Sequence, residues 1–246
     1  MNARAALLLG ASGTLGGAIA RELLARGYAL GLHYHAHKEP CEELAALGTA
    51  KGLRACCYAS DLTADNAPGE LAAAFLKDFG QVDGLVWAAG MVRDAPLATL
   101  PEDHLRAVLS LDLRAPFLIL KAFSRQFVKQ KSGSVVALSS HAALCGRAGG
   151  AAYAMAHSGL LALVKSAARE WGPLGVRVNA VIPPFVPESG MGRSASPEFI
   201  AAVKARRVLK AEADGAAALA TFVADVLQNP ALSGQVLAVD SRITGP

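Results

Sequence analysis

Short apolar runs alternate with longer segments of helical periodicity along nearly the whole chain. Short runs bounded by turn residues predict buried β-strands. The sequence has seven of them, at Ala5–Gly10, Tyr28–Tyr34, Leu53–Tyr58, Val82–Ala88, Ser134–Ser139, Val176–Ile182 and Gln235–Val239. Helical spacing predicts a helix that reaches Ala25, and further helices over Gly69–Asp78, Pro101–Lys129, Ala151–Trp171, Pro197–Lys204 and Ala213–Leu227. This alternation predicts right-handed crossovers and a parallel sheet.

The composition supports one well-filled α/β domain over residues 1–246. Hydrophobic residues make up 53% of the chain and charged residues 18%, a balance that argues against disorder. The net charge is +4, but no dense Lys/Arg run accompanies it, so we expect no nucleic-acid partner. No apolar stretch approaches the roughly 18 residues of a membrane span, so we expect no membrane association. The apolar start is too short for a signal peptide.

The cysteines favour a reducing compartment and argue against a metal site. Four are present, at Cys41, Cys56, Cys57 and Cys145. They form neither a CxxC pair nor a Cys/His zinc spacing, so we expect no bound metal. Scattered cysteines in a chain of this size suit the cytosol, and we therefore expect a cytoplasmic protein.

A glycine-rich segment, GASGTLGG (Gly10–Gly17), joins the first strand to the first helix. Strand, glycine-rich turn and helix together are the arrangement that cradles the phosphates of a dinucleotide; a simple tight turn is the alternative. The second strand ends in His35-Ala36-His37-Lys38, without the acidic residue that grips the ribose 2′-hydroxyl of NAD. The basic neighbours favour NADP, unless this segment is only a solvated turn.

A serine and a tyrosine stand at a spacing that suggests proton transfer. Ser140 precedes Tyr153 by thirteen positions, and His157 follows Tyr153 by four. Residues four apart on a helix share a face, so Tyr153 and His157 project into one space. A serine at the end of a strand and a tyrosine on the next helix predict proton transfer at a carbonyl or alcohol. Alternatively, Ser140 is a loop residue and Tyr153 an ordinary core aromatic.

These motifs together resemble the short-chain dehydrogenase/reductase family, and most of all its 3-oxoacyl-thioester reductase and 3-hydroxyacyl-CoA dehydrogenase branch. The resemblance covers nearly the whole chain. It rests on the glycine-rich loop, Asp61-Leu62, the Ser140-to-Tyr153 spacing, VDGLVWAAG (Val82–Gly90), VRVNAVIPP (Val176–Pro184) and SGQVLAVD (Ser233–Asp240). It implies a single Rossmann-type, doubly wound α/β domain with a parallel sheet of about seven strands.

The resemblance also implies roles for particular residues. In this family a serine orients the substrate oxygen, a tyrosine transfers its proton, a lysine lowers the tyrosine pKa, and an asparagine holds a relay water. Ser140 and Tyr153 match, whereas His157 stands at the lysine position and Asp112 at the asparagine position. The implied cofactor contacts are Gly10, Ser12, Gly13, Thr14, Leu15, Gly16, His35, Asp61, Leu62, Ala88, Ala89, Gly90 and Pro183.

The change from lysine to histidine alters the chemistry that the resemblance implies. An unperturbed histidine has a pKa of about 6.5 and is mostly neutral at pH 7, whereas a lysine is charged. Histidine is also shorter and should reach a ribose poorly. Asp112 would raise the His157 pKa only if the two side chains lie within about 4–6 Å of each other.

Further departures surround the same predicted cleft. Thr14 stands where the family usually has glycine, and a β-branched residue resists positive φ, unless Gly13 and Gly16 compensate by a shifted spacing. Trp87 is expected to crowd the end of the fourth strand. The other departures are Pro184, Glu188 and the Asp240-Ser241-Arg242 segment that replaces Asp-Gly-Gly. Pro183–Pro187, with Gly190 and Gly192 beyond, predicts a lid.

Two functional hypotheses follow. The first is a degenerate, catalytically impaired subunit whose binding of NADP or NAD is weak or lost. It would pair with an active paralogue in a heterotetramer that acts on a 3-hydroxyacyl or 3-oxoacyl thioester of CoA or acyl carrier protein, similar to the inactive partner in a benzylsuccinate-pathway dehydrogenase. The alternative is an active NADP(H)-dependent 3-oxoacyl-thioester reductase that uses Ser140 and Tyr153; a redox sensor is a third class.

Apolar residues on the long helical region exceed what one face against a sheet requires. They are Leu105, Val108, Leu109, Leu111, Leu113, Phe117 and Leu120. We therefore expect a homo-oligomer or a hetero-oligomer, with a monomer as the alternative.

Overall fold

Seven strands form one parallel sheet in the part of the chain that the structure describes. The structure is a computed structural model, and it describes residues 3–193, 195–209 and 215–242. The strands are β1 (Ala5–Leu9), β2 (Ala29–Tyr34), β3 (Ala55–Ala59), β4 (Gly84–Trp87), β5 (Gly133–Leu138), β6 (Val176–Ile182) and β7 (Val236–Ala238). Their order is β3-β2-β1-β4-β5-β6-β7, and each neighbouring pair is parallel. This confirms the predicted doubly wound α/β fold.

Helices cover both faces of this sheet. They are α1 (Thr14–Ala25), α2 (Glu39–Ala50), α3 (Ala67–Phe79), α4 (Glu102–Leu109), α5 (Ala115–Gln130), α6 (Ala142–Cys145), α7 (Ala151–Trp171), α8 (Gly190–Arg193), α9 (Pro197–Ala205) and α10 (Gly215–Gln228). Side chains alternate between the two faces of a strand. Leu7 therefore packs with α3, α5 and α7 in one core, whereas Leu8 packs with α1, α2 and α10 in the other. Because both faces are covered, the strands are apolar throughout.

The sequence pattern located the strands to within two residues at each end, but it missed or simplified some helices. It predicted no helix over α2, which is short of apolar residues: only Cys41, Leu44 and Gly48 are buried there. The continuous helix expected over Pro101–Lys129 is divided, because a wider π-helical turn at Ser110–Arg114 separates α4 from α5. The predicted start of the last helix, Ala213, lies outside the described residues.

The chain reverses its direction of winding at β1, which lies between β2 and β4. Ligands of open parallel sheets bind beyond the carboxyl ends of the strands at such a switch point. The residues that follow β1, β4, β5 and β6 therefore meet at one edge, where the predicted site residues lie. Within the described ranges, no helix combines the length and hydropathy needed to cross a membrane.

Candidate functional site

The loop after β1 is shaped by two glycines. Gly10 has a φ of +82°, a conformation that glycine adopts without steric cost. A Cβ on Gly10 would lie 2.7 Å from the backbone nitrogen of Ala89, and a Cβ on Gly16 would lie 2.1 Å from the Gly10 carbonyl oxygen. At Gly13 a Cβ would come no closer than 3.4 Å to the same oxygen. The close approach of β1, β4 and α1 therefore requires glycine at Gly10 and Gly16.

Thr14 does not need a positive φ, so the concern that a β-branched residue would resist the backbone conformation of this loop is wrong. Thr14 is the first residue of α1, and it is not among the residues with positive φ. The residue of this loop with positive φ is Gly10, four residues earlier. The Thr14 hydroxyl instead donates a 3.4 Å hydrogen bond to the carbonyl oxygen of Glu188, so it joins the phosphate loop to the predicted lid.

A buried histidine that the sequence analysis did not single out supports the loop from below. The Nδ1 atom of His33 accepts a hydrogen bond from the Gly10 N–H at 3.1 Å, and its Nε2 donates to the Ser60 carbonyl at 2.9 Å. His33 is 3% exposed, and burial lowers its pKa, which keeps this arrangement neutral. A polar residue within the apolar run Ala29–Tyr34 was the available signal.

The predicted nucleotide contacts beyond β2 and β3 lie at the same sheet edge. His35 is exposed just after β2. Asp61 is exposed after β3, where its Oδ1 accepts hydrogen bonds from the N–H and the hydroxyl of Thr63, and these bonds lower the Asp61 pKa. Leu62 is buried in the core. His35 and Asp61 are thus open to a ligand, whereas Leu62 anchors the segment that joins β3 to α3.

The end of β4 is attached directly to β1. The Ala88 N–H donates to the Leu9 carbonyl at 2.9 Å, and Ala89 lies against Gly10. Trp87 does not crowd the cleft as expected, since it is 3% exposed and packs in the core with α3 and α5. Side-chain alternation explains the difference. Neighbouring strand residues point to opposite faces of the sheet, and Trp87 points to the face that α3 and α5 cover.

Ser140 and Tyr153 meet as the spacing predicted. Ser140 follows β5, where its Oγ accepts a 3.2 Å hydrogen bond from the Ala142 N–H, and it is near enough to the Tyr153 phenol to lower the pKa of Tyr153. Tyr153 lies on α7 and is 8% exposed. Burial, and then the charge of Asp112, raise the pKa of Tyr153 to about 12, although Ser140 and Arg147 act in the opposite direction. The phenol is therefore protonated at neutral pH.

Asp112 and His157 form a buried pair behind the phenol. The His157 Nε2 lies 3.5 Å from the Asp112 Oδ2, so the distance condition set by the sequence analysis is met. The pair is an ion pair only when His157 is protonated, and neither ring nitrogen makes a hydrogen bond to another described residue. The His157 ring lies 4.1 Å from the Tyr153 ring between centroids. His157 is thus placed to act on Tyr153, while it lies outside the open cleft.

Asp112 also fixes the chain after β4. It lies in the π-helical turn and is fully buried. Its Oδ1 accepts a 3.1 Å hydrogen bond from the Met91 N–H, and Gly90 lies against the same carboxylate. Burial raises the pKa of Asp112, whereas His157 and the Met91 N–H oppose that rise. Wider helical turns of this kind often occur at functional sites.

A cavity of about 510 Å³ opens in front of Tyr153. The predicted lid forms one side of it through Pro183, Pro184, Phe185 and Val186. The lid is held to itself, because the Ser189 hydroxyl donates to the Val186 carbonyl at 2.7 Å and accepts from the Gly192 N–H at 3.0 Å. Leu15 of the phosphate loop lines the same cavity, so the cofactor edge and the proton-transfer residues share one space.

Several charged residues line this cavity, and of these the sequence analysis singled out only Arg242. Arg147 and Asp94 form a 2.6 Å ion pair on one side, and His141, Arg206 and Arg242 line the cavity as well. They come from separate loops, and no spacing rule connects residues so far apart in the chain. Among the described residues, no group of three or more His, Cys, Asp or Glu side chains could hold a metal ion.

The residues at the sheet edge fit a dinucleotide. The approach of α1 to β1 depends on Gly16, which has no Cβ to displace the loop, and no side chain caps the N-terminus of α1 at Gly13. An uncapped helix N-terminus presents N–H groups to an anion. Ser12 belongs to this loop and Leu15 follows it in α1, and Pro183 lines the same cavity as Leu15.

Comparisons with known proteins agree with this geometry. A protein-family profile described as "Enoyl-(Acyl carrier protein) reductase" matches residues 10–243. The chain is 31% identical over 183 residues to the 3-oxoacyl-[acyl-carrier-protein] reductase FabG of Staphylococcus epidermidis, a match that covers 74% of this chain and 75% of that protein. It is 33% identical over 186 residues to the 3-oxoacyl-[acyl-carrier-protein] reductase of Synechocystis sp., covering 76% and 75% of the two chains.

Solved structures match over almost the full length. The structure of NAD⁺-bound xylitol dehydrogenase superimposes with a TM-score of 0.87 at 27% identity and covers 98% of both chains. A short chain dehydrogenase from Burkholderia cenocepacia, solved in complex with NADP, gives a TM-score of 0.88 at 27% identity, again with 98% of both chains covered. With the matched profile, these likenesses show that the chain belongs to the short-chain dehydrogenase/reductase family.

Proposed function

We propose that this chain is an active, nicotinamide-dependent reductase of 3-oxoacyl thioesters, with Ser140 and Tyr153 as its catalytic residues. The observation that carries the proposal is that both side chains line one cavity beside the dinucleotide edge. The names of the relatives from Staphylococcus epidermidis and Synechocystis sp. supply the substrate class. This is the alternative hypothesis of the sequence analysis, and no motif geometry at the cofactor edge argues against it.

The chain's own residues would divide the work as follows. Gly10 and Gly16 would bring the loop and the start of α1 close to the pyrophosphate, and Gly13 would stand beside it at the N-terminus of α1. Asp61, Leu62 and the Ala88–Gly90 segment border the adenosine side, and Pro183 the nicotinamide side. When bound, the dinucleotide supplies the hydride. Exposed His35 would meet a 2′-phosphate, and its exposure after β2 supports NADP over NAD.

The protonation state of Tyr153 suits reduction. Hydride transfer to a carbonyl leaves a developing alkoxide, which needs a proton donor. Tyr153 would supply the proton, and Ser140 would donate a hydrogen bond to the same substrate oxygen. Because the Tyr153 pKa is raised to about 12, the phenol holds its proton over the whole neutral range. The reverse oxidation needs the phenolate, and the same raised pKa disfavours it.

His157 takes the place of a fixed cation only when it is protonated. Asp112, 3.5 Å away, stabilises an imidazolium more than a neutral ring. An imidazolium beside the phenol would stabilise developing negative charge on Tyr153 as its proton leaves. The pair therefore supplies a positive charge beside the phenol only when His157 is protonated, whereas a lysine supplies that charge permanently.

Two measurements on the purified chain test the proposal. NADPH and NADH are titrated by fluorescence, and turnover is followed at 340 nm with acetoacetyl-CoA. We expect tighter binding of NADPH and measurable reduction. Binding of neither dinucleotide together with no turnover would overturn the proposal.

One observation favours the impaired-subunit hypothesis as a second candidate. The phenol pKa is raised, and Asp112 contributes to that rise, whereas competent proton transfer needs a readily ionised group. Under this hypothesis the chain binds an active paralogue in a heterotetramer. Activity that appears only when a paralogue is added would favour it over the active-reductase proposal.

We further propose that the chain forms a homo-oligomer and works in the cytoplasm. Leu109, Leu113, Phe117 and Leu163 line an apolar groove across α4, the π-helical turn, α5 and α7. Phe117 is 48% exposed, which a second copy of this face would cover. Light scattering after size exclusion should give more than one chain per particle, and Phe117→Asp should reduce that number. The four free cysteines suit a reducing compartment.

A further inference from the structure

The cavity has a cationic end that the proton-transfer chemistry does not use. Arg242 lines it, in the segment where the sequence analysis found Asp240-Ser241-Arg242 in place of a family Asp-Gly-Gly. The side chains of Arg242 and Asp240 are 10% and 1% exposed. The Arg242 Nε donates to the Asp240 Oδ2 at 2.6 Å, its Nη2 contacts the same oxygen, and its backbone N–H donates to Oδ1 at 2.9 Å. A buried carboxylate thus fixes this guanidinium in one orientation.

A second guanidinium reaches the same end from another element. Arg206 follows α9, is exposed and lines the cavity. Within the described residues it has no carboxylate partner at ion-pair distance. Arg206 and Arg242 both lower the pKa of His141, after burial as the main cause, while Asp240 opposes them. The three side chains therefore act on one region of the cavity.

The charged residues of the cavity differ in how far they are balanced. Arg147 is neutralised by Asp94 at 2.6 Å near Tyr153. Near His141, Asp240 balances only one of two guanidinium groups in the described part of the chain. The Arg242 Nη1 atom has no acceptor among the described residues, and Arg206 adds an unbalanced positive charge. Guanidinium groups pair with carboxylate and phosphate in a forked geometry that fixes position as well as charge.

We propose that Arg206 and Arg242 bind an anionic group of the substrate, a carboxylate or a phosphate, while the carbonyl of the same substrate meets Tyr153. This inference rests on the proposed function, because it assigns a substrate class to the same cavity. The fixed guanidinium orients the anion, and the exposed one attracts it. The chain then prefers 3-oxo substrates that carry a negative group over neutral ones of equal size.

Two pairs of substrates distinguish the two sources of negative charge. The first pair is the N-acetylcysteamine thioester of a 3-oxo acid with a terminal carboxylate, and its terminal methyl ester. The second pair is acetoacetyl-CoA, which carries phosphates on the thiol side, and acetoacetyl-N-acetylcysteamine. Since hydrogen bonds to charged groups are worth more than neutral ones, we expect kcat/KM for the charged member of one pair to be higher by about tenfold or more.

Arg206→Gln should abolish that preference, while Arg125→Gln should leave it intact. Arg125 is a matched control because it is an exposed arginine of α5 that does not line the cavity. Arg242→Lys is the second variant, since it keeps the charge next to Asp240 but loses the fork. It should reduce the preference in part, and a thermal melt identifies any loss of folding.

Binding without turnover separates this inference from the proposed function. Glutarate and inorganic phosphate are titrated into wild type, Arg206→Gln and Arg125→Gln by calorimetry. We expect at least one of the two anions to bind wild type and Arg125→Gln, and to bind Arg206→Gln several-fold more weakly. If wild type reduces all four thioesters without preference, or if Arg206→Gln leaves every preference and every titration unchanged, the inference is wrong. If wild type reduces none of them but binds the anion through Arg206, only the proposed function fails.

Discussion

The two sides of the cleft are held in different ways. On the nucleotide side, backbone geometry determines the arrangement: Gly10 and Gly16 allow β1, β4 and α1 to approach, and His33 joins neighbouring loops. On the proton-transfer side, buried ionisable side chains determine it: Tyr153, His157 and Asp112 lie within one cluster. On the nucleotide side, side chains between the glycines can change while the backbone keeps its course. On the proton-transfer side, a change in the charge of Asp112 alters the pKa of Tyr153.

This difference changes the meaning of the departures from the family pattern. Thr14 and Trp87 depart from it without disturbing the backbone. Thr14 is the first residue of α1, and Trp87 is buried in the core. His157 and Asp112 depart from it next to the reacting phenol. Thr14 and Trp87 therefore no longer support the hypothesis of a degraded cofactor site, whereas His157 and Asp112 bear directly on the chemistry of Tyr153.

The largest effect is expected at Tyr153. Removing the hydroxyl in Tyr153→Phe removes the proton donor, and general acid–base groups are worth about 10²–10⁴-fold in rate. We expect reductase turnover to fall by that factor while dinucleotide binding stays within about twofold of wild type. Turnover with acetoacetyl-CoA and fluorescence titration of NADPH give the two readouts.

Tyr28→Phe is the matched control for this substitution. Tyr28 is buried to 2% exposure before β2, but it lies outside the cavity. Its turnover should equal that of wild type. Equal turnover of Tyr153→Phe and wild type would show that another group donates the proton, and the assignment of the site would be wrong.

The second prediction tests the backbone side with two glycines of one loop. In Gly16→Ala the new methyl would lie 2.1 Å from the Gly10 carbonyl oxygen, whereas in Gly13→Ala the nearest contact is 3.4 Å. Overpacking costs about 1–3 kcal/mol, occasionally more. We therefore expect Gly16→Ala to lower the free energy of unfolding by at least that amount and to weaken NADPH binding.

Gly13→Ala should change either quantity by less than about 0.5 kcal/mol. Urea unfolding and fluorescence titration provide the measurements. If the two variants behave alike, glycine packing does not shape the loop, and the contrast between the two sides of the cleft fails on the nucleotide side.

The sequence predicted the parts of this molecule that depend on local pattern. Strand positions followed from apolar runs, and the contact between Tyr153 and His157 followed from helical spacing. The role of Thr14 did not, because the chain position that needs positive φ depends on how β1 meets β4 at Gly10 and Ala89.

The meeting of Arg206 and Arg242 in one cavity could not be predicted from a local sequence pattern. Arg206 and Arg242 are separated by a helix and a strand, α10 and β7, and only the fold brings them to one cavity. The same reasoning explains His33, whose two partners, Gly10 and Ser60, come from the ends of other strands. Long-range packing, which no local spacing encodes, determined each of these contacts.

The third prediction concerns the charge around the phenol. Burial and Asp112 raise the Tyr153 pKa to about 12, so phenolate forms only as the pH rises through that value. Asp112→Asn removes the negative charge and should shift the ionisation to lower pH, because a nearby anion disfavours phenolate. Each pKa unit corresponds to about a tenfold change in phenolate at fixed pH.

Phenolate absorbance near 295 nm, taken as the difference between each protein and its Tyr153→Phe partner, measures this shift without turnover. In the oxidation direction, Asp112→Asn should be faster than wild type at a fixed alkaline pH. Asp103→Asn, an exposed aspartate of α4, is the control and should leave the titration unchanged. An upward shift of the Tyr153 pKa in Asp112→Asn would contradict the assignment of Asp112 as a cause of the raised pKa.

The smallest effect is expected at Thr14, and it decides between two meanings of a departure from the family pattern. Thr14→Val keeps the shape and removes only the 3.4 Å hydrogen bond to the Glu188 carbonyl, a contact at an exposed site worth well under about 1 kcal/mol. Thr14→Gly restores the residue that the family usually carries and costs about 0.5–1 kcal/mol of helix stability. Since the Thr14 backbone already lies in the helix, NADPH affinity should change by less than about threefold in either variant. A gain of tenfold or more in Thr14→Gly would mean that the threonine side chain stands in the path of the phosphates, and the nucleotide side would then be degraded by a side chain after all.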